Sequence, residues 1–453
     1  MAYNRKQRLN DNIKAIETAF ILDREQRTPT ARERLLLERY CGFGGLKCIL
    51  NPARELADAV HWAKSDLELF APTVELHRLI RENSKNESEY KQLMDSLKQS
   101  VLTAFYTPSA VTEALTDVLK EHQIIPEKVL EPSAGIGAFV DSVLDNNPKA
   151  DIMAFEKDLL TGKILRHLHP EQKVRIEGFE KIEKPFNDYF DLAISNIPFG
   201  DVAVFDPSYT AMKGMRALVT RRIHNYFFVK ALDTVRDGWL VAFITSQGVL
   251  NAKNNSAARF MMLYHADLVS AIRLPNNLFT ENANTEVGSD LIILQKNTQK
   301  ESLRGDDNLL DTVYDDENRI PTNNYFLEHP ERIIHTTAKL DTDPFGKPAM
   351  IYTHEDGVEG IAEDLRKMLH EDFKKNLNLN RYLGIEETMA EEVKEVEETE
   401  KIEETEKIKP SIEEKQNDTV VFLQKQEKPT DDAELSQKSN HQQPPVQMTL
   451  FDL

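Results

Sequence analysis

Cysteine is scarce in this chain, which has only Cys41 and Cys48 among its 453 residues. So few thiols exclude a disulfide framework, and without a nearby histidine pair they make a poor zinc site, so we expect no metal. Long apolar runs are also missing, and the first residues are charged rather than apolar. We therefore expect no membrane span and no secretory signal, and a cytoplasmic location.

Positive charge is in deficit: 56 lysines and arginines face 76 acidic residues, for a net charge of −20. Residues 386–453 hold 19 acidic and 8 basic residues, or −11, and the remaining −9 is spread over residues 1–385. An acidic balance argues against a broad nucleic-acid surface, since phosphate binding requires lysine and arginine. Any contact with DNA must come from a local basic patch or from a partner.

The sequence pattern divides the chain into four parts. Residues 1–100 are predicted to be helical, and 101–300 to form an α/β domain with a mostly parallel sheet. Residues 301–385 are predicted to be a small extension, and 386–453 a disordered acidic tail. Thr107 is predicted to cap the first helix of the α/β domain, with Pro108 at its first position. Seven strands are predicted, at 128–131, 151–155, 173–176, 190–195, 239–245, 268–274 and 290–295.

A glycine turn follows the first predicted strand. The strand ends at Glu131, and Gly135 and Gly137 lead into a helix whose N-terminus offers free N–H groups to a ligand. A second acid, Glu156, ends the next strand 19 residues after Gly137, a spacing suited to binding ribose hydroxyls. The third glycine of a standard dinucleotide-binding loop is missing. The G-x-G alone can be only a strand–helix turn, but its combination with the strand and the second acid is more specific and favours a ligand site that is not a classical dinucleotide site.

A second motif, Asn196-Ile197-Pro198-Phe199, follows the strand at 190–195. Open α/β sheets place their sites at the carboxyl ends of strands. The Asn196 amide oxygen and the Ile197 carbonyl are two acceptors for the protons of an amine, and the Phe199 ring can stack on a base. The other interpretation of this tetrapeptide is a turn with a buried phenylalanine.

The order of these motifs, with Phe105-Tyr106-Thr107-Pro108 ahead of the glycine turn, resembles the γ-type amino-methyltransferases, a family of N6-adenine DNA methyltransferases. The resemblance covers about residues 101–300. Residues 40–46 are also similar to a segment that precedes Y-T-P in methylases of plasmids, phages and conjugative elements. The resemblance implies a Rossmann-like class I methyltransferase fold, the cofactor S-adenosylmethionine, and methyl transfer to N6 of a flipped-out adenine.

The resemblance also assigns roles to residues. Thr107 would contact the carboxylate of the methionine part of the cofactor, and Glu156 the ribose. Ile197 departs from the family, which usually has proline there and so a more rigid turn. The implied cofactor-binding residues are Tyr106, Thr107, Glu131, Ser133, Gly135, Gly137, Glu156, Phe179 and Glu180, and the implied residues around the target base are Asn196, Ile197, Pro198 and Phe199.

Two further segments suggest partners. A run of positive charges after the second motif, Lys213, Arg216, Arg221 and Arg222, is either a solvated face or a set of phosphate contacts to DNA. The end of the chain, with Gln447, Leu450 and Phe451, resembles the pentapeptide that binds the bacterial sliding clamp. A specificity or restriction subunit of a restriction-modification system is a further expected partner.

Two alternatives to a DNA methyltransferase remain open. An amide nitrogen suits the Asn196 motif as well as an adenine does, so the substrate could be a protein glutamine or RNA, which the acidic charge favours. The other alternative is a DNA-associated protein that keeps the fold and has lost catalysis through Ile197.

Overall fold

The computed structural model describes residues 4–103, 106–212, 214–280, 286–303, 307–314, 319–343 and 346–384. The predicted acidic tail and its clamp-binding end, Gln447, Leu450 and Phe451, lie outside the described residues, as does Lys213. No helix of the described ranges is both long and apolar enough to cross a bilayer.

The centre of the fold is a seven-stranded sheet in the order β3-β2-β1-β4-β5-β7-β6. Neighbours from β3 to β5 pair in parallel, and β7 runs antiparallel between β5 and β6. This mixed, mostly parallel arrangement confirms the predicted Rossmann-like methyltransferase sheet. The strands are β1 (Lys128–Glu131), β2 (Asp151–Phe155), β3 (Lys173–Arg175), β4 (Phe190–Asn196), β5 (Val235–Ser246), β6 (Ala266–Leu274) and β7 (Ser289–Lys296).

Helices surround this sheet and continue on both sides of it in the chain. The α-helices are α1 (Arg5–Glu25), α2 (Ala31–Leu37), α3 (Phe70–Glu82), α4 (Glu87–Thr103), α5 (Ser109–Glu121), α6 (Ala138–Asn146), α7 (Leu159–Leu168), α8 (Pro207–Thr210), α9 (Met215–Val219), α10 (Ile223–Thr234), α11 (Gly248–Asn251), α12 (Ser256–His265), α13 (Asn324–Glu328), α14 (Gly357–Asn376) and α15 (Leu379–Leu383). Short 3-10 helices occupy Lys47–Leu50, Leu56–His61, Lys64–Leu69, Phe179–Lys181, Lys184–Phe186, Lys253–Asn255, Asn276–Phe279, Asp307–Leu309 and Pro330–Arg332.

Both faces of the sheet are buried, which explains why its strands are almost wholly apolar. Successive residues of a strand point to opposite faces. Leu192 and Ile194 of β4 accordingly join a core with α5, α6 and α14, whereas Ala193 joins a second core with α10 and α12. The sheet is thus the middle layer of a three-layer α/β/α structure. Its side chains can therefore reach a ligand only at the ends of the strands.

The N-terminal helices form a third core that includes one helix of the α/β domain. Leu9, Ile13, Ile16 and Phe20 give α1 an apolar stripe at helical spacing. This stripe belongs to the same cluster as the buried apolar side chains of α7. The N-terminal helices therefore pack on α7, close to the carboxyl end of β2.

The extension after β7 adds two small antiparallel ribbons and returns to the main domain. The ribbons pair β8 (Thr312–Tyr314) with β9 (Pro321–Asn323) and β10 (Thr337–Thr342) with β11 (Pro348–Thr353). Helix α14 follows and packs beside α5 and β6, in the first core of the sheet. The extension is thereby joined to the sheet that carries the motifs.

Candidate active site

The glycine turn between β1 and α6 has no room for side chains. Gly135 and Gly137 adopt left-handed φ angles of +56° and +94°. A Cβ atom on Gly135 would lie 2.8 Å from Cε1 of Tyr106, and one on Gly137 would lie 2.6 Å from Nε2 of His169. Both glycines are required by conformation and by space, so the turn packs closely against the Tyr106 ring.

Glu156, at the end of β2, is fixed against this turn. Its Oε2 accepts a hydrogen bond from the N–H of Gly135 (2.8 Å), and its Oε1 accepts one from the N–H of Asp158 (2.6 Å). Burial, reinforced by the negative charge of Asp158, raises the pKa of Glu156 to about 8. The acid predicted to bind a ribose is thus held beside the glycine turn, and at neutral pH it is largely protonated.

The buried polar atoms near the turn that have no hydrogen-bond partner among the described residues include Oγ1 of Thr107 and Oε2 of Glu131. Thr107 is 6% exposed and Glu131 is 2% exposed. Burial first, and the nearby Glu156 second, raise the pKa of Glu131 well above its usual range. An unsatisfied buried polar atom costs about 1–3 kcal/mol, so these two atoms indicate a ligand that supplies hydrogen bonds.

The predicted cap of α5 is wrong. The helix begins at Ser109 with Pro108 as its N-cap residue, and no side chain caps it. Because the residue before a proline avoids the helical region, Thr107 stays in the preceding segment. Its hydroxyl is therefore free of any capping role.

The Asn196 motif leaves the sheet at the carboxyl end of β4. The N–H of Ile197 donates a hydrogen bond to the carbonyl of Ile244 in β5 (3.0 Å), and the Ile197 side chain is 1% exposed. Asn196 and Phe199 are partly exposed, and the Phe199 ring meets the Phe279 ring edge to face with centroids 6.4 Å apart. The turn is anchored through Ile197 while Asn196 and Phe199 remain accessible.

The glycine turn and the Asn196 motif are neighbours at the carboxyl ends of two adjacent strands. Strands β1 and β4 pair in parallel, so their carboxyl ends lie side by side. The Oγ of Ser195 donates a hydrogen bond to the carbonyl of Ser133 in the glycine turn (3.3 Å). The residue that immediately precedes the Asn196 motif is thus hydrogen-bonded to the loop that carries the candidate cofactor residues.

Phe179 and Glu180, the residues assigned to the cofactor's adenine ring, differ in accessibility. Phe179 is 1% exposed, and its ring packs against Phe155 and Phe227 with centroids 5.8 and 5.3 Å away. Glu180 is partly exposed, and its carboxylate folds back over Gly178. Glu180 lies at the surface of this turn, whereas the Phe179 ring is part of the core.

The predicted basic patch is largely neutralised by acids that are distant in sequence. Arg216 forms a two-pronged ion pair with Asp233 (2.6 and 2.9 Å). Arg222 donates from Nε to Asp201 (2.6 Å). Arg221 is exposed; its backbone N–H donates to the Leu218 carbonyl (3.2 Å), but its side chain makes no hydrogen bond or ion pair with any described residue. Of the three described arginines in this run, only Arg221 presents an unpaired charge to solvent.

Sequence reasoning missed Asp158, which supports the site from behind. It begins α7 as the N-cap, where its Oδ1 accepts a hydrogen bond from the N–H of Thr161 (2.7 Å). Its own N–H binds Glu156. An aspartate shortly after a strand and directly before an apolar helical pattern is a recognisable helix start and could have identified it.

The protein is a Rossmann-like class I methyltransferase. This class is defined by the order of the strands, by the antiparallel β7 and by the two motifs at the carboxyl ends of adjacent strands. The family model described as N-6 DNA Methylase matches residues 88–391. The chain therefore belongs to the N-6 DNA methylase family.

Two curated proteins and one solved structure are similar to parts of the chain. "Defense against restriction protein B" of Escherichia phage P1 is 28% identical over 201 residues, 43% of this chain and 8% of that protein. "Type II methyltransferase M.XamI" of Xanthomonas campestris pv. amaranthicola is 25% identical over 173 residues, 35% of this chain and 33% of that protein. The type IIG restriction endonuclease BpuSI has 17% identity and a TM-score of 0.37, over 66% of this chain and 38% of its own. The matches thus span a third or less of each curated relative.

The residues at the glycine turn fit S-adenosylmethionine, the cofactor implied by the family. Its methionine part carries an ammonium group and its ribose carries two hydroxyls, all of them hydrogen-bond donors. Glu131 and Thr107 offer the buried oxygens that lack donors, and Glu156 offers a carboxyl beside the turn. The cofactor's own carboxylate would accept from the Thr107 hydroxyl.

Proposed function

We propose that the chain transfers a methyl group from S-adenosylmethionine to N6 of an adenine that is rotated out of a DNA duplex. The observation that carries this proposal is the hydrogen bond between Ser195 and the Ser133 carbonyl, which joins the Asn196 motif to the glycine turn. The two partners of a transfer reaction must meet within about 3–3.5 Å. Two adjoining loops on neighbouring parallel strands are suited to hold them that close.

Asn196, Ile197 and Phe199 would receive the target base. The amide oxygen of Asn196 and the carbonyl of Ile197 would accept the two protons of the adenine amine, which aims its lone pair at the methyl group. Phe199 would stack on the base with its accessible ring. When bound, S-adenosylmethionine supplies a methyl group on a sulfonium centre, so the protein's task is to orient the amine and exclude water.

The contact of Ile197 supports an active turn despite the missing proline. A proline at this position has no N–H and would fix the turn through its ring. Isoleucine fixes it instead through the hydrogen bond to Ile244 and through its buried side chain. This contact is an argument against the alternative in which Ile197 has abolished catalysis.

The finer features of the DNA interaction are part of the proposal. Arg221 would contact a phosphate, and Arg216 and Arg222 would hold the loop in place rather than bind DNA. The names of the two curated relatives, one a defence against restriction and the other a type II methyltransferase, are in keeping with a DNA substrate and with a role beside a restriction enzyme. The terminal segment 447–451 would bind the sliding clamp.

The proposal is tested with tritium-labelled S-adenosylmethionine and three acceptors: duplex DNA, RNA and a glutamine-containing protein. We expect label in DNA only. Asn196→Ala should abolish transfer and leave cofactor affinity within about twofold, because its amide would contact the base and not the cofactor. Asn297→Ala is the matched control, since Asn297 also follows a strand but lies after the antiparallel β7, at the opposite edge of the sheet. Label in RNA or protein alone, or cofactor binding with no transfer to any acceptor, would refute the proposal.

A further inference from the structure

Two paths of hydrogen bonds and packing contacts connect the N-terminal region to the glycine turn. The first passes through the hydroxyl of Thr161 in α7. The Tyr40 hydroxyl lies 3.3 Å from Oγ1 of Thr161, and the Tyr106 hydroxyl lies 3.4 Å from the same oxygen. The Tyr106 ring in turn rests against Gly135, where a single added Cβ would touch it. One threonine hydroxyl thus links an N-terminal tyrosine to the ring that covers the turn.

The second path passes through the cap of α7. Ser96 of α4 donates from Oγ to Oδ2 of Asp158 (2.6 Å) and accepts from the N–H of Leu160 (3.0 Å). The N–H of Asp158 donates to Oε1 of Glu156, whose Oε2 accepts from the N–H of Gly135. This path begins in α4 and ends, like the first, at Gly135.

The starting points of both paths are held rigidly. Tyr40, Ser96 and Thr161 are all buried. The chain next to Tyr40 is clamped by Asn12 of α1, which donates from Nδ2 to the Gly42 carbonyl (2.6 Å) and accepts from the Cys41 N–H (2.9 Å). The hydroxyl groups are therefore fixed by the packing of the N-terminal helices.

We infer that Tyr40, Ser96 and Thr161 are positioning residues for the cofactor, and that the N-terminal helices are a working part of the cofactor site. This inference rests on the proposed function, since it takes S-adenosylmethionine as the ligand of the turn. Tyr40 lies outside residues 88–391, the part matched by the family model. The Tyr40 hydroxyl helps to position Tyr106 through its contact with Thr161. The Ser96 hydroxyl helps to position Glu156 through its hydrogen bond to Asp158.

The physical reason is preorganisation. A site whose ring and carboxyl are already ordered loses less conformational entropy when a ligand binds. Removing the Tyr40 or the Thr161 hydroxyl weakens the hydrogen bonding that orders Tyr106, while the apolar packing around the ring stays. A net hydrogen-bond contribution of the usual size then corresponds to a loss of affinity of roughly 3- to 10-fold. Because Tyr40 and Tyr106 share one hydroxyl, the effects of Tyr40→Phe and Thr161→Val should not add.

The test is calorimetric titration of the full chain with S-adenosylhomocysteine, for wild type, Tyr40→Phe, Thr161→Val and the double variant. Each single variant should bind about 3- to 10-fold more weakly, and the double variant no more weakly than Thr161→Val. Thr73→Val is the matched control: Thr73 is buried in α3, and its hydroxyl bonds only the Leu69 carbonyl among the described residues. It should lower the melting temperature as Thr161→Val does and leave the affinity unchanged.

Kinetics and hydrogen exchange separate positioning from general loosening of the fold. In Tyr40→Phe, KM for S-adenosylmethionine should rise while kcat stays the same, and exchange at the amides of 135–137 should accelerate. Unchanged affinity in both single variants, or an equal loss in Thr73→Val, would overturn the inference while leaving the proposed function intact. Failure of the wild-type chain to bind the probe would overturn both.

Discussion

Replacing Ile197 by proline, the residue usual in the family, should destabilise this chain. In the structure the N–H of Ile197 donates to the carbonyl of Ile244, and Ile244 is buried near the carboxyl end of β5. Proline has no N–H, so the Ile244 carbonyl would lose its partner, at a cost of about 1–3 kcal/mol. The smaller side chain would cost about 1 kcal/mol more, and stiffening of the unfolded chain would return about 0.5–1 kcal/mol. The net expectation is a loss of about 2 kcal/mol.

The assay is urea unfolding followed by circular dichroism, with Ile197→Val as the control. Valine keeps the N–H and removes one methylene group, so it should cost about 1 kcal/mol. The Ile197→Pro variant should therefore be at least about 1 kcal/mol less stable than the Ile197→Val variant. Methyl transfer should also be lower in the proline variant than in the valine variant. A proline variant as stable as the valine variant would show that the hydrogen bond does not anchor the turn, and the argument for an active Ile197 turn would fail.

Three other predictions concern the cofactor, the DNA and the tail. Burial raises the pKa of Glu156 to about 8, so the Glu156 carboxyl must lose its proton when the cofactor binds. Affinity for S-adenosylhomocysteine should therefore rise with pH by up to about tenfold per unit and level off above that pKa. A calorimetric affinity that does not change with pH, or the same pH dependence in Glu156→Gln, would contradict this. Arg221→Ala should weaken DNA binding to a similar degree for all sequences. In fluorescence anisotropy it should lower the slope of log affinity against log salt concentration by about one. An unchanged slope would mean that DNA binds elsewhere. Truncation after residue 438 should leave methylation of short duplexes intact and slow it in growing cells, because the clamp tether is lost; inactivity on short duplexes would refute the tether.

The strands could be predicted because the buried sheet leaves a strong local signal. All seven predicted strands are present, and their apolar runs match the two-sided burial of the sheet. The ends were less predictable. Strand β5 begins at Val235, four residues before its predicted start, since Val235 pairs with Phe190 although the polar residues 236–237 and Gly238 look like a loop. Pairing with a neighbouring strand, which local sequence does not encode, decided the boundary.

The site was predictable where a motif follows a strand, and unpredictable where distant side chains meet. Glu156 and Asn196 could be proposed as site residues because an acid or amide at a strand end has a known place in α/β sheets. The ion pair of Arg216 with Asp233 and the contact of Tyr40 with Thr161 depend on how helices pack. The run of basic residues has no acid near it in the sequence, so its charges were expected to be unpaired. In the structure, most of its described charges are paired with acids that are distant in the sequence.

The central claim is that this chain methylates adenine in DNA, and the sequencing of a host genome tests it most directly. The chain and its Asn196→Ala variant are expressed separately in a strain without adenine methyltransferases, and modified bases are mapped by single-molecule sequencing. We predict N6-methyladenine at a defined set of sites with the wild-type chain and none with the variant. Unmodified DNA in cells with abundant folded protein that binds S-adenosylhomocysteine, or equal modification with the variant, would contradict the claim.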